Sequence, residues 1–236
     1  MLKIDLHLHT SEDPRDALDY DARELIREAA RLSFDAVAIT LHGKVIEVEG
    51  LDEYAREQGV LFIPGIEKHI EDKEVLIHNV TPAEMRDVET FADLRALKAR
   101  RGPDILVVAP HPFFRTSTCL GRHLEGHIDL FDAIEFCHLY TRFWNLNRRA
   151  VEIALAHGKP LVATSDAHAL WMFGRNYTLV EAPKTVRGIF DAVRSGRVHP
   201  HSAPITPWEL ARKLGWFFAV HEARKLARWA WSSRSK

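Results

Sequence analysis

The sequence predicts an α/β protein built on a mainly parallel sheet. Short Val-, Ile- and Leu-rich runs recur with helically patterned segments between them, the rhythm of strand, helix, strand repetition. The 236 residues, 46% of them hydrophobic, suffice for one domain of barrel size or two small ones. No internal repeat, low-complexity stretch or Pro/Gly/Ser linker divides the chain. The expected strands are 2–9, 36–40, 60–66, 74–80, 105–110, 132–138, 160–165 and 177–181. A helix is expected over 19–33, where Ala22, Leu25, Ile26, Ala29 and Ala30 fall at helical spacing. Further helices are expected over 82–100, 145–157 and 185–195, the second of these stopped by Gly158 and Pro160.

Composition excludes several function classes. With 32 Lys+Arg against 33 Asp+Glu there is no global positive field for coating nucleic acid, whereas small neutral-to-acidic substrates remain open. Two cysteines, Cys119 and Cys137, cannot make a disulfide framework. Charges at Lys3, Asp5, Glu12, Asp13 and Arg15 interrupt any apolar leader, and no run is long enough to span a bilayer, so a cytoplasmic, reduced protein is expected. From Arg212 onward seven Lys or Arg face one acid, Glu222, among Trp216, Phe217, Phe218, Trp229 and Trp231. Residues 205–236 are accordingly expected to form a basic, aromatic helix docked on a barrel of residues 1–204, with a membrane-surface or oligomer contact as the alternative. Oligomeric state is not legible.

In the opening strand the even positions Leu2, Ile4, Leu6 and Leu8 are aliphatic, and Asp5, His7 and His9 share the other face. Two imidazoles on one strand face can ligate one metal, although an exposed polar face would read the same way. The pattern gains weight because His or acid residues close strand after strand, at the ends where α/β active sites are built. His42 follows the second strand, Glu67 the third, His78 the fourth and His111 the fifth, while Asp166 and His168 follow a later one. Taken singly, His78 reads as a satisfied core histidine, Glu67 as a helix cap, and Asp166 with His168 as a turn. Together these groups exceed what one ion can use, and nitrogen-rich ligation favours Zn, Mn or Fe over Mg. Carboxylates bridging such ions imply hydrolytic chemistry.

These residues resemble the PHP (polymerase and histidinol phosphatase) family of metal-dependent phosphoesterases. The matching motifs are Asp5-Leu6-His7-Leu8-His9-Thr10, Ile39-Thr40-Leu41-His42, Gly65-Ile66-Glu67, the strand end at His78, His111-Pro112 and Ser165-Asp166-Ala167-His168. They span roughly residues 1 to 200 in the family order. The resemblance implies a distorted (β/α)7 TIM-like barrel with a site for two to three divalent ions, Zn, Mn or Fe. It assigns His7, His9, Glu67 and Asp166 to one ion, Glu67, His78 and His111 to a second, and Asp13, His42 and His168 to a third, with Asp16 as the alternative to Asp13. Glu67 and Asp166 would be the shared, catalytic ligands. Where the family commonly has Thr-Asp-His this chain has Thr40-Leu41-His42, so an acid that would orient His42 is missing. Cys137-His138 stands where an Asn is frequent, and His138 reads as an ordinary polar strand end.

The expected activity is phosphomonoester hydrolysis on a small phosphorylated metabolite or nucleotide, by attack of a metal-held hydroxide. Arg115, four residues past His111, is the expected phosphate-binding residue, while Lys44 and Arg142 read as surface cations. The 32 residues between His78 and His111 leave no room for a large cap, which implies an open mouth. A nuclease or phosphodiesterase acting on single-stranded nucleic acid, and a catalytically silent metal-binding scaffold, are the competing readings.

Overall fold

The computed structural model describes residues 1–216 together with Ala223 and Leu226. Its strands are β1 (Leu2–Asp5), β2 (Ala36–His42), β3 (Leu61–Ile70), β4 (Lys73–His78), β5 (Leu106–Ala109), β6 (Ala133–Phe136), β7 (Leu161–Ala163), β8 (Tyr177–Val180) and β9 (Val198–His201). They form one nine-stranded sheet in the order β7-β6-β5-β4-β3-β2-β1-β8-β9. β1, β2, β3, β5, β6, β7 and β9 run in one direction, and β4 and β8 run against it. The sheet curls until β7 lies beside β8 and β9. At that seam the Thr178 hydroxyl accepts from Ala163 N (2.9 Å) and donates to Ala163 O (2.9 Å), supplying bonds a backbone ladder would otherwise make. The result is the expected α/β architecture, a nearly closed, distorted barrel.

The reversal of β4 has a local cause. β3 and β4 are joined by Glu71 and Asp72 alone, with Ile70 paired to Lys73 and φ of 48° and 63° at the two loop residues. Positive φ at both central positions is the two-residue hairpin turn that matches strand twist, so no crossover helix is needed. β1 is shorter than expected because the Asp5 carboxylate takes the His7 N–H (3.2 Å), and Leu8 is left with a single bridge to Ala167. β9 was not anticipated from its Val-His-Pro-His sequence; it is an edge strand paired only with β8, where a proline is tolerated.

The helices are α1 (Ala22–Arg31), α2 (Leu51–Glu57), α3 (Pro82–Met85), α4 (Phe91–Arg101), α5 (His123–Gly126), α6 (Asn147–Ala156), α7 (Val186–Arg194) and α8 (Pro207–Trp216). α1 opens with a reciprocal cap, Asp21 accepting from Glu24 N (2.8 Å) and Glu24 from Asp21 N (2.9 Å), and buries Leu25, Ile26 and Ala29. The single helix expected over 82–100 is two, because Thr81–Glu84 and Thr90–Asp93 each form a capping box and the second restarts the chain. One apolar cluster joins β2 to α1 and α2 through Val37, Ile39 and Leu41, and another joins β3, β4 and β5 to α4 and α6. A third, with Ala38, Ile63, Val108 and Val162, includes Ile189, Phe190 and Val193 of α7.

The described residues after β9 contact the loops of the barrel. Ile205 N donates to Tyr140 O (2.8 Å), Glu209 pairs with Arg175, and the Arg212 guanidinium lies 4.0 Å from the Trp171 ring centre. Phe217, Phe218, Trp229 and Trp231 lie outside the described residues. Among the described residues no helix is long and apolar enough to cross a membrane.

Candidate metal centre

The carboxyl ends of the parallel strands bring the ligand-type side chains to one rim, as the geometry of such barrels dictates. His7 and His9 follow β1, His42 ends β2, and Glu67 sits opposite His42 in the β2–β3 register. His111 follows β5, while Asp166 and His168 follow β7, where Asp166 N donates to His7 O (3.1 Å). The Tyr20 hydroxyl pins the turn by donating to Ala167 O (2.7 Å). His111 and Asp166 hold φ of 23° and 45°, a strained region for residues with a Cβ and one that clusters at functional sites.

Glu67 is the hub. Its Oε2 lies 3.4 Å from His7 Nε2, 3.4 Å from His9 Nε2 and 3.2 Å from His42 Nε2, and its Oε1 lies 3.5 Å from His111 Nε2. Asp166 Oδ1 is 3.5 Å from His7 Nε2, 3.4 Å from His9 Nε2 and 3.4 Å from His168 Nδ1. His7 Nε2 and His9 Nε2 face each other at 3.2 Å.

The outer ring nitrogens explain why this donor set fits cations. His7 Nδ1 is 2.8 Å from Glu135 Oε2, His9 Nδ1 is 3.1 Å and His42 Nδ1 3.0 Å from Asp13 Oδ2, and His168 Nδ1 is 3.1 Å from the Asp166 carbonyl. Each partner is an acceptor, so each Nδ1 carries the proton and donates. In the neutral rings Nε2 is then a lone pair, and it points at another lone pair or at a carboxylate. Only protons or metal ions relieve that opposition. Asp13 therefore supplies the acid behind His42 that Leu41 does not: besides holding His42 Nδ1, its Oδ2 accepts from His42 N (2.8 Å). Leu41 is buried in the core against α1 and α2.

Charge follows the same logic. Burial opposes ionisation throughout the cluster. Nonetheless the carboxylates of Asp166, Glu67 and Glu135 hold the His7 imidazole well above its usual range, and His168 rises to about 9 beside Asp166 and Asp16. Despite burial, the imidazoles hold Glu67 and Asp166 well below the carboxylate range and Asp16 at about 2. Asp5, beneath the cluster, is pushed up to about 7 by burial although Ser165 N and His7 N donate to it. Such opposed shifts within one cleft mark a functional site.

Among the described residues, four groups have donor atoms within 4.8 Å of one another: His7, His9 and Asp166; His7, Glu67 and His111; His9, Asp16, His42 and His168; and Glu74, His111 and Cys119. The first matches the expected first set, with Glu67 at its edge. The second differs from expectation in lacking His78. Because β4 is reversed, its carboxyl end runs away from the rim, and His78 pairs with Gly65, two residues before Glu67 on β3. His78 Nε2 is 2.7 Å from Leu6 O and Nδ1 3.1 Å from Leu106 O, its ring meets Phe190 edge-on at 6.4 Å, and burial lowers its pKa. It is a buried core histidine set between two carbonyls, to one of which its neutral ring donates.

In the third group Asp16 takes the place expected of Asp13, with its Oδ2 3.0 Å from His168 Nε2 and 3.3 Å from His42 Nδ1. Asp13 is the more deeply placed acid, its Oδ1 accepting from Arg15 N (2.8 Å) and Asp16 N (3.1 Å).

A cavity of about 160 Å³ opens over this rim, lined by His42, Glu67, Glu74, His111, Phe114, Thr116, Thr118, Cys137, Leu139, Asp166 and His168. Arg115 is exposed and absent from that lining, although its neighbours Phe114 and Thr116 belong to it. Lys44 and Arg142 are surface residues, and His138 is buried, with burial holding its pKa well below the usual range. Sequence reasoning missed Glu74, Cys119, Cys137 and Glu135. Glu135 was visible as an acid inside an apolar strand. Glu74 reaches the rim through the reversal of β4, and Cys119, with Sγ 3.5 Å from His111 Nδ1, carries no pattern signal.

The family profile described as PHP-associated (PHP_C) matches residues 144–198. A PolC-type DNA polymerase III from Streptococcus pneumoniae serotype 2 (strain D39 / NCTC 7466) is 31% identical over 217 residues, covering 83% of this chain. The chain spans 14% of that polymerase and 6% of a PolC-type relative from Thermotoga maritima. The fold is similar to PsfC from Pseudomonas syringae PB-5123, with TM-score 0.63 at 21% identity over 93% of this chain and 98% of that one. It is also similar to a two-domain protein from Bacteroides vulgatus ATCC 8482 described as containing a predicted PHP-like metal-dependent phosphoesterase. That match has TM-score 0.61 at 17% identity and covers 85% of this chain and 64% of the other.

Proposed function

This chain belongs to the PHP domain family, and from that premise we propose that it is a metal-dependent phosphoesterase. Its reaction is hydrolysis of a phosphomonoester, on a small phosphorylated metabolite or a nucleotide. The observation that carries the reading is the convergence of His7, His9 and His42 Nε2 on the Glu67 carboxylate, with every Nδ1 already committed to an acceptor. The donor set fits two to three divalent ions, Zn, Mn or Fe, held by His7, His9, His111, Asp166 and Glu67, and by Asp16, His42 and His168. Bound there, such ions supply Lewis acidity toward phosphate oxygens and acidify water at neutral pH.

The protein's own contribution is positional. Glu135 and Asp13 fix the tautomer and ring plane of three imidazoles, so the ligands are arranged before substrate arrives. Glu67 and Asp166 each reach more than one group, which makes them the residues whose loss is least replaceable. The cavity of about 160 Å³, with acids and imidazoles in its lining, has room for a phosphoryl group.

A second reading, a nuclease on single-stranded nucleic acid, is favoured by one observation: a relative matching over 83% of this chain is a PolC-type DNA polymerase III. The experiment measures phosphate release from a panel of monoesters beside nucleotide release from single-stranded DNA and RNA, each with Mn or Zn. Metal-dependent release from monoesters, lost in Asp166→Ala and Glu67→Ala together with bound metal, is the expected result. Turnover confined to the polymer and steeply weakened by salt would select the nuclease. Normal metal content and turnover in Asp166→Ala would overturn both.

A further inference from the structure

We propose that Glu74, His111 and Cys119 form a separate site for a thiophilic divalent cation of the Zn or Cd class, set into the cavity wall beside the phosphoesterase centre. Their donor atoms lie within 4.8 Å of one another, and Glu74 and Cys119 belong to none of the other groups. His111 presents its two ring nitrogens to different neighbours: Nε2 lies 3.5 Å from Glu67 Oε1, whereas Nδ1 lies 3.5 Å from Cys119 Sγ and 4.0 Å from Glu74 Oε2. Zn–N bonds of about 2.05 Å and Zn–S bonds of about 2.3 Å at a tetrahedral angle put nitrogen and sulfur about 3.6 Å apart. The separation of Nδ1 from Sγ matches that edge. Glu74 Oε2 stands about 0.6 Å beyond the corresponding edge for an oxygen ligand, a gap closed by a small turn of its carboxylate.

The Glu74 carboxylate points to a cation independently. Glu74 is 9% exposed, yet no hydrogen bond reaches its carboxylate among the described residues. His69 Nε2 lies 3.5 Å from Oε1, but it accepts from Arg15 Nη1 (2.9 Å) and so offers a lone pair rather than an N–H. His111 Nδ1 at 4.0 Å is too far to donate. A buried carboxylate without a donor is costly, and a cation beside Oε2 removes that cost. The fold holds the three donors together. Glu74 N donates to Thr118 O (2.8 Å), fastening β4 to the loop that carries Cys119, and Gly121 N donates to Pro112 O (2.8 Å), closing that loop beside His111. The Thr116 hydroxyl lies 3.0 Å from Cys119 Sγ, placed to donate to a thiolate. Glu74, His111, Thr116 and Thr118 line the cavity, so an ion enters from it and keeps a position open to water. Thiolate and imidazole together select Zn-like ions over Mn or Mg. A neutral imidazole offers one lone pair, so an ion here and an ion on His111 Nε2 weaken each other.

The test titrates metal-free and Mn-loaded full chains with Cd and reads the ultraviolet sulfur-to-cadmium charge-transfer absorption in wild type, Cys119→Ser, Cys137→Ser and Glu74→Gln. Bound Mn is counted in the same samples by electron paramagnetic resonance. Wild type should gain one thiolate-bound Cd per chain, with the absorption absent in Cys119→Ser and kept in Cys137→Ser. Losing a group behind a metal ligand already costs about tenfold or more in affinity, so losing the charged ligand in Glu74→Gln should weaken Cd by at least about tenfold. Mn loading should weaken Cd by about fivefold or more. No absorption in wild type, absorption that survives in Cys119→Ser, or unchanged Cd affinity in Glu74→Gln would overturn the site. Equal Cd affinity with and without Mn, in chains shown to hold Mn, would overturn the part assigned to His111. Glu74→Gln keeps the thiol and decides the question even if Cys119→Ser fails to fold. Chains that show the absorption with Cd but take up no Mn would refute the reading of the neighbouring centre and leave the thiolate site standing.

Discussion

Replacing Glu135 by Gln tests whether the centre depends on groups behind its ligands. Glu135 is fully buried, and its Oε2 lies 2.8 Å from His7 Nδ1. Gln is isosteric, so no cavity opens, and its amide oxygen can still accept from Nδ1–H. What disappears is the charge. A hydrogen bond to a charged group contributes about 1.5–3 kcal/mol against about 0.5–1.5 for a neutral one, a difference of about 1–2 kcal/mol. Losing a partner behind a metal ligand costs about 10- to 100-fold in affinity, which is about 1.4 to 2.8 kcal/mol. The two estimates overlap. Because His7 belongs to the groups with His9 and Asp166 and with Glu67 and His111, but not to the group of Asp16, His42 and His168, the loss should be selective. Competition against a chromophoric chelator, with Mn and Zn separately, would show tight binding weakened by at least tenfold at some sites and preserved at others. All affinities within about twofold of wild type would refute the reasoning, because a hydrogen bond of this length to a ligand ring cannot be silent if the ring binds metal.

Other perturbations separate the centre from its frame. His78→Leu should leave metal content unchanged and lower stability by about 1–3 kcal/mol, read by urea unfolding, since it strands whichever of the Leu6 and Leu106 carbonyls accepts the ring N–H. Thr178→Val should cost about 1–3 kcal/mol in the same assay by unpairing Ala163 at the seam between β7 and β8. The pH dependence of metal-free protein follows from His168, raised from 6.5 to about 9, and Asp16, lowered from 3.8 to about 2. The histidine's contribution is complete below pH 6.5 and lost as pH rises through about 9; the aspartate's is complete above 3.8 and lost as pH falls through about 2. Thermal midpoints of metal-free protein should therefore fall between pH 6.5 and 9, whereas excess Mn should make them rise over the same interval, because ions compete with protons for Nε2. A metal-free midpoint that climbs through that interval would contradict the proton-held cluster.

The sequence by itself determined the strand and helix rhythm and the ligand-type residues that end parallel strands, but not that half of the strand pairings are antiparallel. His7, His9, His42, Glu67, His111, Asp166 and His168 were legible because period-two alternation and strand-end position are local properties, and parallel strands deliver their carboxyl ends to one rim. Tertiary structure decided whatever depended on strand direction or on a partner distant in sequence. His78 carried the same strand-end signature as His111, but the Glu71–Asp72 turn reverses its strand and carries it down into the barrel interior, lifting Glu74 toward the site instead. Asp13 and Asp16 could not be ranked by spacing, since which acid faces the cavity depends on how the loop folds against His42 and His168. Glu135 reaches His7 across 128 residues of sequence, and no local pattern encodes a contact that the chain makes only by closing on itself.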